Sequence, residues 1–289
     1  MEAAPGGEET AGAPSAPEGR VAAEQVSLVF YLMIYRDGER GLATLEKVRR
    51  FHPEARLVVR ADGAGGEWRA GFESLGAEFY DEPRLFPTPH GARAVQRMLE
   101  LFATAPADYL FKIDADTGVW RPLRWLPLEE CHFGTVQGLR RRRSIQGGCL
   151  GLTRGAALRI LESRRLLDAG FALTTDTLFG ETGNPYLGPL RARHRKTGLT
   201  SFDWSLGAVC ARLGIPLRGW EDVHCHHREP AEEDGTFALT HPARDRVRPG
   251  SGECPSIRSW TPSQPSTDPP CPTSPSAARS RKSAFRSAR

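Results

Sequence analysis

The sequence predicts an α/β fold of three layers with a mainly parallel central sheet. Three observations carry this expectation. Apolar β-forming runs alternate with helical patterns over roughly 90 residues, which requires crossover connections and helices on both faces of a sheet. Polar residues gather just past the carboxyl ends of the strands, where parallel sheets bind ligands. Both chain ends differ sharply in composition from the middle.

Val26–Tyr35 (VSLVFYLMIY) is a near-continuous apolar run, the pattern of a strand buried on both faces. Glu39–Phe51 places Leu42, Leu45 and Val48 at helical spacing, and His52-Pro53 ends it. Ala55–Arg60 is a second strand stopped by the turn Asp62-Gly63. Glu67–Leu75 is a helix closed by Gly76, and Ala77–Tyr80 is a short third strand. Ala92–Ala103 is a helix with Ala94, Val95, Met98, Leu99 and Phe102 on one face, and Tyr109–Ile113 is the fourth strand. Arg154–Leu167 is a helix N-capped by Thr153. Ser201–Trp220 contains another, with Leu206, Val209, Cys210 and Leu213 on its apolar face and Gly214 at its end.

Residues 1–25 are rich in Ala, Gly, Pro and Glu and are expected to be disordered. The segment from Pro242 onward holds nine Pro and ten Ser and is expected to be a disordered tail. One domain is therefore expected over residues 26–241, large enough for a single core. The formal charge of +4 is unevenly placed. Residues 242–289 hold nine basic and three acidic residues, +6, which leaves −2 for residues 1–241. A nucleic-acid-binding domain needs a basic face on the fold itself, so that class is excluded. Peripheral contact with acidic membrane surfaces through the basic tail stays open. No secretory h-region follows Met1, and Val26–Tyr35 is about half the length that spans a bilayer, so a soluble cytoplasmic protein is expected. The six cysteines show no C-x-x-C spacing and are expected to be reduced.

Four segments carry candidate chemistry. FKIDADTGV (Phe111–Val119) puts Asp114 and Asp116 just past the fourth strand, an arrangement suited to a hard divalent cation bridging phosphates. IQGGCLGLTRGAALRIL (Ile145–Leu161) contains Gly147-Gly148, which permits close backbone approach. SFDWSLGAVC (Ser201–Cys210) places Asp203 and Trp204 in the first turn of a helix. VHCHHRE (Val223–Glu229), if extended, points His224 and His226 to one side and Cys225 and His227 to the other. His241, in ALTHP, is a further candidate ligand. Arg36 and Asp37 follow the first strand and Asp62 the second, while Arg140–Arg143 form a basic run. No dinucleotide or P-loop fingerprint follows any strand.

The order of these four segments resembles the GT-A nucleotide-sugar glycosyltransferases, and within them the Fringe-like and β1,3-glycosyltransferase group. The resemblance covers about residues 26–228. FKIDADTGV is similar to that group's D-D-D-T-x-V metal motif, IQGGCLGLTRGAALRIL to its glycine-rich strand and helix, and FDWSLGAVCARLGI to its base-bearing helix. Ala115 stands where the motif's middle acid would be, and Phe202 where a Glu precedes the base. The resemblance implies a GT-A fold and a metal-dependent, inverting transfer of a sugar from a nucleotide sugar to an acceptor hydroxyl on a glycan, lipid-linked glycan, protein or small molecule. It implies that Asp116 and His224 hold Mn²⁺ or Mg²⁺, with Asp114, His226 and His241 as alternative ligands. Arg36, Asp62, Asp114 and Asp116 would meet the donor. Asp203 would be the base, Gly147, Gly148 and Trp204 would face sugar and acceptor, and residues 174–200 would form an acceptor loop. Three competing functions are a sugar nucleotidyltransferase, a degenerate glycosyltransferase fold used for binding or scaffolding, and a zinc module around His224–His227.

Overall fold

The computed structural model describes residues 16–85, 91–139, 142–167, 202–227 and 236–242. In chain order the strands are β1 (Arg20–Ala22), β2 (Leu28–Ile34), β3 (Arg56–Asp62), β4 (Ala77–Glu82), β5 (Tyr109–Ile113), β6 (Gly118–Val119), β7 (Trp125–Pro127), β8 (His132–Leu139), β9 (Arg142–Thr153), β10 (Leu217–Gly219), β11 (Val223–His227) and β12 (Leu239–Pro242). The helices are α1 (Gly38–Phe51), α2 (Arg69–Ser74), α3 (Gly91–Ala103), α4 (Arg154–Ser163) and α5 (Phe202–Leu213).

The main sheet has seven strands in the order β10-β8-β9-β5-β2-β3-β4. β5, β2, β3 and β4 are parallel neighbours, and β10 is parallel to β8. β9 runs antiparallel to both β5 and β8, so it alone is reversed. The expected mixed α/β class with a mainly parallel sheet is what the chain adopts. β2 shows why its apolar run is unbroken. Phe30, Leu32 and Ile34 face one core with Leu45 and Val48 of α1 and Phe72 of α2. Val29 and Tyr31 face the other, with Val95, Met98, Leu99 and Phe102 of α3 and Leu206 and Val209 of α5. Each side of a pleated strand thus meets its own helical layer.

Two small sheets complete the described fold. β11 pairs with β12 in parallel and β12 with β6 antiparallel, placing the chain's last described strand beside the turn that follows β5. β1 pairs antiparallel with β7. The expected disorder over residues 1–25 is therefore corrected at its C-terminal end. Ala22 and Ala23 are buried, and the Arg20 guanidinium pairs with Glu221 and lies 5.0 Å from the Trp220 ring centre. A three-residue strand without an apolar run leaves no sequence pattern; tertiary contacts create it. The tail from residue 243 onward lies outside the described residues. Among the described residues, no helix is long and apolar enough to cross a membrane.

His52 and His132 are buried, and burial lowers the pKa of each from 6.5 to about 4. Between those values the unfolded chain holds protons that the folded protein refuses, so stability falls as pH drops from 6.5 towards 4. The loss is on the order of 3 kcal/mol per histidine once pH reaches about 4. Urea unfolding at pH 7 and pH 4.5 should show a clearly lower midpoint in acid, and His52→Gln should reduce the pH dependence. An equal midpoint at both pH values would contradict the neutral burial.

Candidate metal centre

β5 delivers Asp114 to the carboxyl edge of the sheet, and the turn beyond it is pinned from both sides. The Asp114 N–H donates to Gly148 O at 2.9 Å and to Thr117 Oγ1 at 3.0 Å. The Thr44 hydroxyl of α1 donates to Ala115 O at 2.8 Å. The Ala115 side chain joins the apolar core, so Asp114 and Asp116 are left to face outward from the turn.

His241 of β12 comes to these carboxylates from the other side. Its Nε2 lies 3.2 Å from Asp114 Oδ2 and 3.1 Å from Asp116 Oδ1. One ligand atom from each of the three residues falls within 4.8 Å of the others. The ring is 4% exposed, and neither of its nitrogens has a hydrogen-bond partner. Nε2 is therefore close to two carboxylates without hydrogen-bond geometry to either. A buried imidazole nitrogen left unbonded between two acids fits a cation placed among the three.

Without a cation, the two carboxylates favour a proton on the ring, so a metal ion binding here would have to displace it. Burial alone would raise Asp114, but the Lys112 ammonium and His241 outweigh it and hold the acid down at about 2. His241 lowers Asp116 as well. For His241, burial works against charge, but the paired carboxylates prevail and raise it to about 9. Lys112 pairs with Asp114 Oδ1 and donates to Gly147 O at 2.5 Å, while its ammonium lies 5.4 Å from the Phe202 ring centre.

The histidine expected at this centre was His224, and the structure corrects that. β11 and β12 pair with His224 opposite Thr240 and Cys225 opposite His241. Strand alternation then gives Cys225 and His241 the same face and turns His224 to the other, where its ring stacks on Phe237 at 4.7 Å. The side chains of His226 and His227 lie outside the described residues, as do residues 174–200 and Arg140 and Arg141.

Gly147 and Gly148 lie beside the acid group, in contact with His241 and Asp203. A Cβ added at Gly148 would overlap the His241 ring. A Cβ at Gly147 would stand 3.2 Å from Asp203 Cβ. Asp203 lies in the first turn of α5, half-buried, with Trp204 half-buried beside it. The Gln137 amide of β8 donates to Asp203 Oδ2 at 2.7 Å, and Ser144 Oγ donates to Asp203 O at 2.6 Å. One segment of β9 thus touches both the candidate ligand His241 and the acid Asp203.

Two donor candidates stand elsewhere along the same edge. Asp62 is buried at the end of β3 and accepts from Arg60 Nη1 at 2.8 Å and from the Leu85 N–H at 2.6 Å. Its Oδ1 is thus held by two protein donors. Arg60 is itself fully buried and also pairs with Glu82 at 2.8 Å, so the acid at the strand end balances a core guanidinium. Arg36 is exposed past β2 and lies 5.1 Å from the Tyr35 ring centre, a ring that Arg84 also covers at 3.6 Å. Lys112 and Gln137 were missed from sequence. Lys112 had a signal, because it lies two residues before Asp114 on one strand and shares its face.

Calorimetry with Mn²⁺ separates the two histidines. His241→Ala should weaken binding at least tenfold, His224→Ala should leave it within about twofold, and Gly148→Ala should weaken it by displacing the His241 ring, about 10- to 100-fold. Loss of affinity in His224→Ala with none in His241→Ala would refute the assignment. Compared with protein-family models and with curated protein sequences, the chain matches none.

Proposed function

We propose that the protein is a metal-dependent glycosyltransferase of the GT-A class, moving a sugar from a nucleotide-sugar donor to an acceptor hydroxyl with inversion. The observation that carries this reading is the shared contact at Gly147-Gly148. It sets a cation-type centre and a separate acid, Asp203, side by side at the carboxyl edge of a mainly parallel sheet. Transfer to a hydroxyl needs these two functions near each other: a centre that receives the charged leaving group and a base for the incoming nucleophile.

Asp114, Asp116 and His241 would hold the divalent ion, which when bound neutralises negative charge on a departing nucleoside diphosphate. Lys112 keeps Asp114 ionised and adds a fixed positive charge at the base of the site. Asp203 accepts the proton of the acceptor hydroxyl, and the Gln137 amide fixes the carboxylate orientation through Oδ2. The two departures from the family pattern fall at packed positions. Ala115 is in the core, and Phe202 is buried against the Lys112 ammonium, so neither removes a donor from the acid group. That favours an enzyme over a binding-only relative.

Thermal-shift screening of nucleoside diphosphates and nucleotide sugars, with and without Mn²⁺, should give a metal-dependent rise selective for one base. Asp203→Asn should then lower sugar transfer about 10²- to 10⁴-fold while leaving metal-dependent nucleotide binding near wild type. Full transfer by that variant would remove Asp203 from the base role. Pyrophosphate release from a nucleoside triphosphate and a sugar phosphate would instead identify a nucleotidyltransferase.

A further inference from the structure

Cys149 and Cys225 have no part in the proposed transfer, yet they lie directly beneath its centre. Their Sγ atoms are 3.3 Å apart, and both residues are buried. Cys149 follows Gly148 and pairs with Ile113, the residue before Asp114. Cys225 pairs in register with His241. The thiols therefore join β9 and β11, the strands adjoining the acid turn and the histidine strand.

We propose that Cys149 and Cys225 form a reversible disulfide that switches the affinity of the Asp114–Asp116–His241 group for a divalent cation. A disulfide holds its sulfurs at about 2.0 Å, so the pair must close by more than 1 Å from its present contact. Closure draws Cys225, and with it the paired strand β12, toward β9. At Gly148 there is no slack to absorb that movement, because the His241 ring already occupies the space a Cβ would need. Oxidation therefore displaces His241 from the two carboxylates, and reduction lets it return.

The step balances with a peroxide as oxidant. One thiolate attacks peroxide oxygen, giving a sulfenic acid and one water after proton transfer. The second thiol attacks the sulfenic sulfur, the S–S bond forms, and a second water leaves. Two sulfurs are oxidised by one electron each, and the peroxide takes up two. A small dithiol reverses the change by thiol–disulfide exchange, forming its own disulfide and restoring both thiols.

The switch rests on the metal reading, and the test separates the two. The full-length protein is treated with one equivalent of hydrogen peroxide, freed of oxidant, and compared with the reduced protein by non-reducing peptide mapping and by Mn²⁺ calorimetry. The expected result is a linked Cys149–Cys225 peptide, Mn²⁺ affinity lowered tenfold or more, and recovery with dithiothreitol. Cys225→Ser and Cys149→Ser should each keep the reduced-form affinity after peroxide, with folding of each variant checked by melting temperature. Two free thiols at these positions after oxidation overturn the disulfide. A linked peptide with unchanged affinity overturns the switch. A reduced protein that binds no Mn²⁺ overturns the metal centre and the switch with it, while the linked peptide still decides whether the pair oxidises.

Discussion

The backbone of Gly148 lies against the His241 ring so closely that no side chain fits between them, and Gly147 packs against Asp203. These two contacts add to the hydrogen bonds and core packing that bring distant parts of the chain together. β12 arrives from a small side sheet and α5 from a helical layer. Both come to rest on the same stretch of β9. A side chain at Gly148 would force the His241 ring away from the acids at the end of β5, whereas one at Gly147 would press Asp203 by only a few tenths of an ångström. The close approach is a steric condition, and the chemistry depends on it.

Charge is arranged around that contact with few groups. Burial by itself would raise the pKa of Asp114. The Lys112 ammonium, one strand repeat earlier, offsets this and also holds Gly147 O. A single buried amine thus sets the charge state of one acid and fixes the loop that positions another. A similar internal pairing occurs two strands away, where Arg60 sits fully buried between Asp62 and Glu82. There the acids serve the fold, because a buried guanidinium requires them. Acids at the edge of one sheet therefore have two different uses, and the partner of each carboxylate tells them apart.

Much of this was legible in the sequence. β2, α1, α3 and α5 follow from apolar periodicity, Asp114 and Asp116 stand where strand-end placement put them, and Asp203 lies in the first turn of its helix as read. Asp62 looked identical to Asp114 in sequence, since both are acids closing a buried strand. Each also pairs with a buried cation two residues earlier, Arg60 or Lys112; what differs is that Asp62 Oδ1 also accepts from the Leu85 N–H, whereas Asp114 Oδ2 faces His241. His224 was favoured because its spacing fits the ligand position that the resemblance implies, with His241 only an alternative. The pairing of β11 with β12 decided between them, and that is a long-range register no local pattern encodes. β1 was hidden for the same reason, as its partner β7 lies about 100 residues away.

The placement of His241 on β12 also bears on how the centre comes into being. Asp116 and His241 are about 125 residues apart in the chain, and nearly every element of the described fold between them must be in place before they meet. An ion shared by them would act as a late stitch, bridging a turn made early and a strand added at the end. Its binding energy would report on completion of the whole sheet assembly, so occupancy would mark chains that had finished folding, apart from any use the ion has in a reaction.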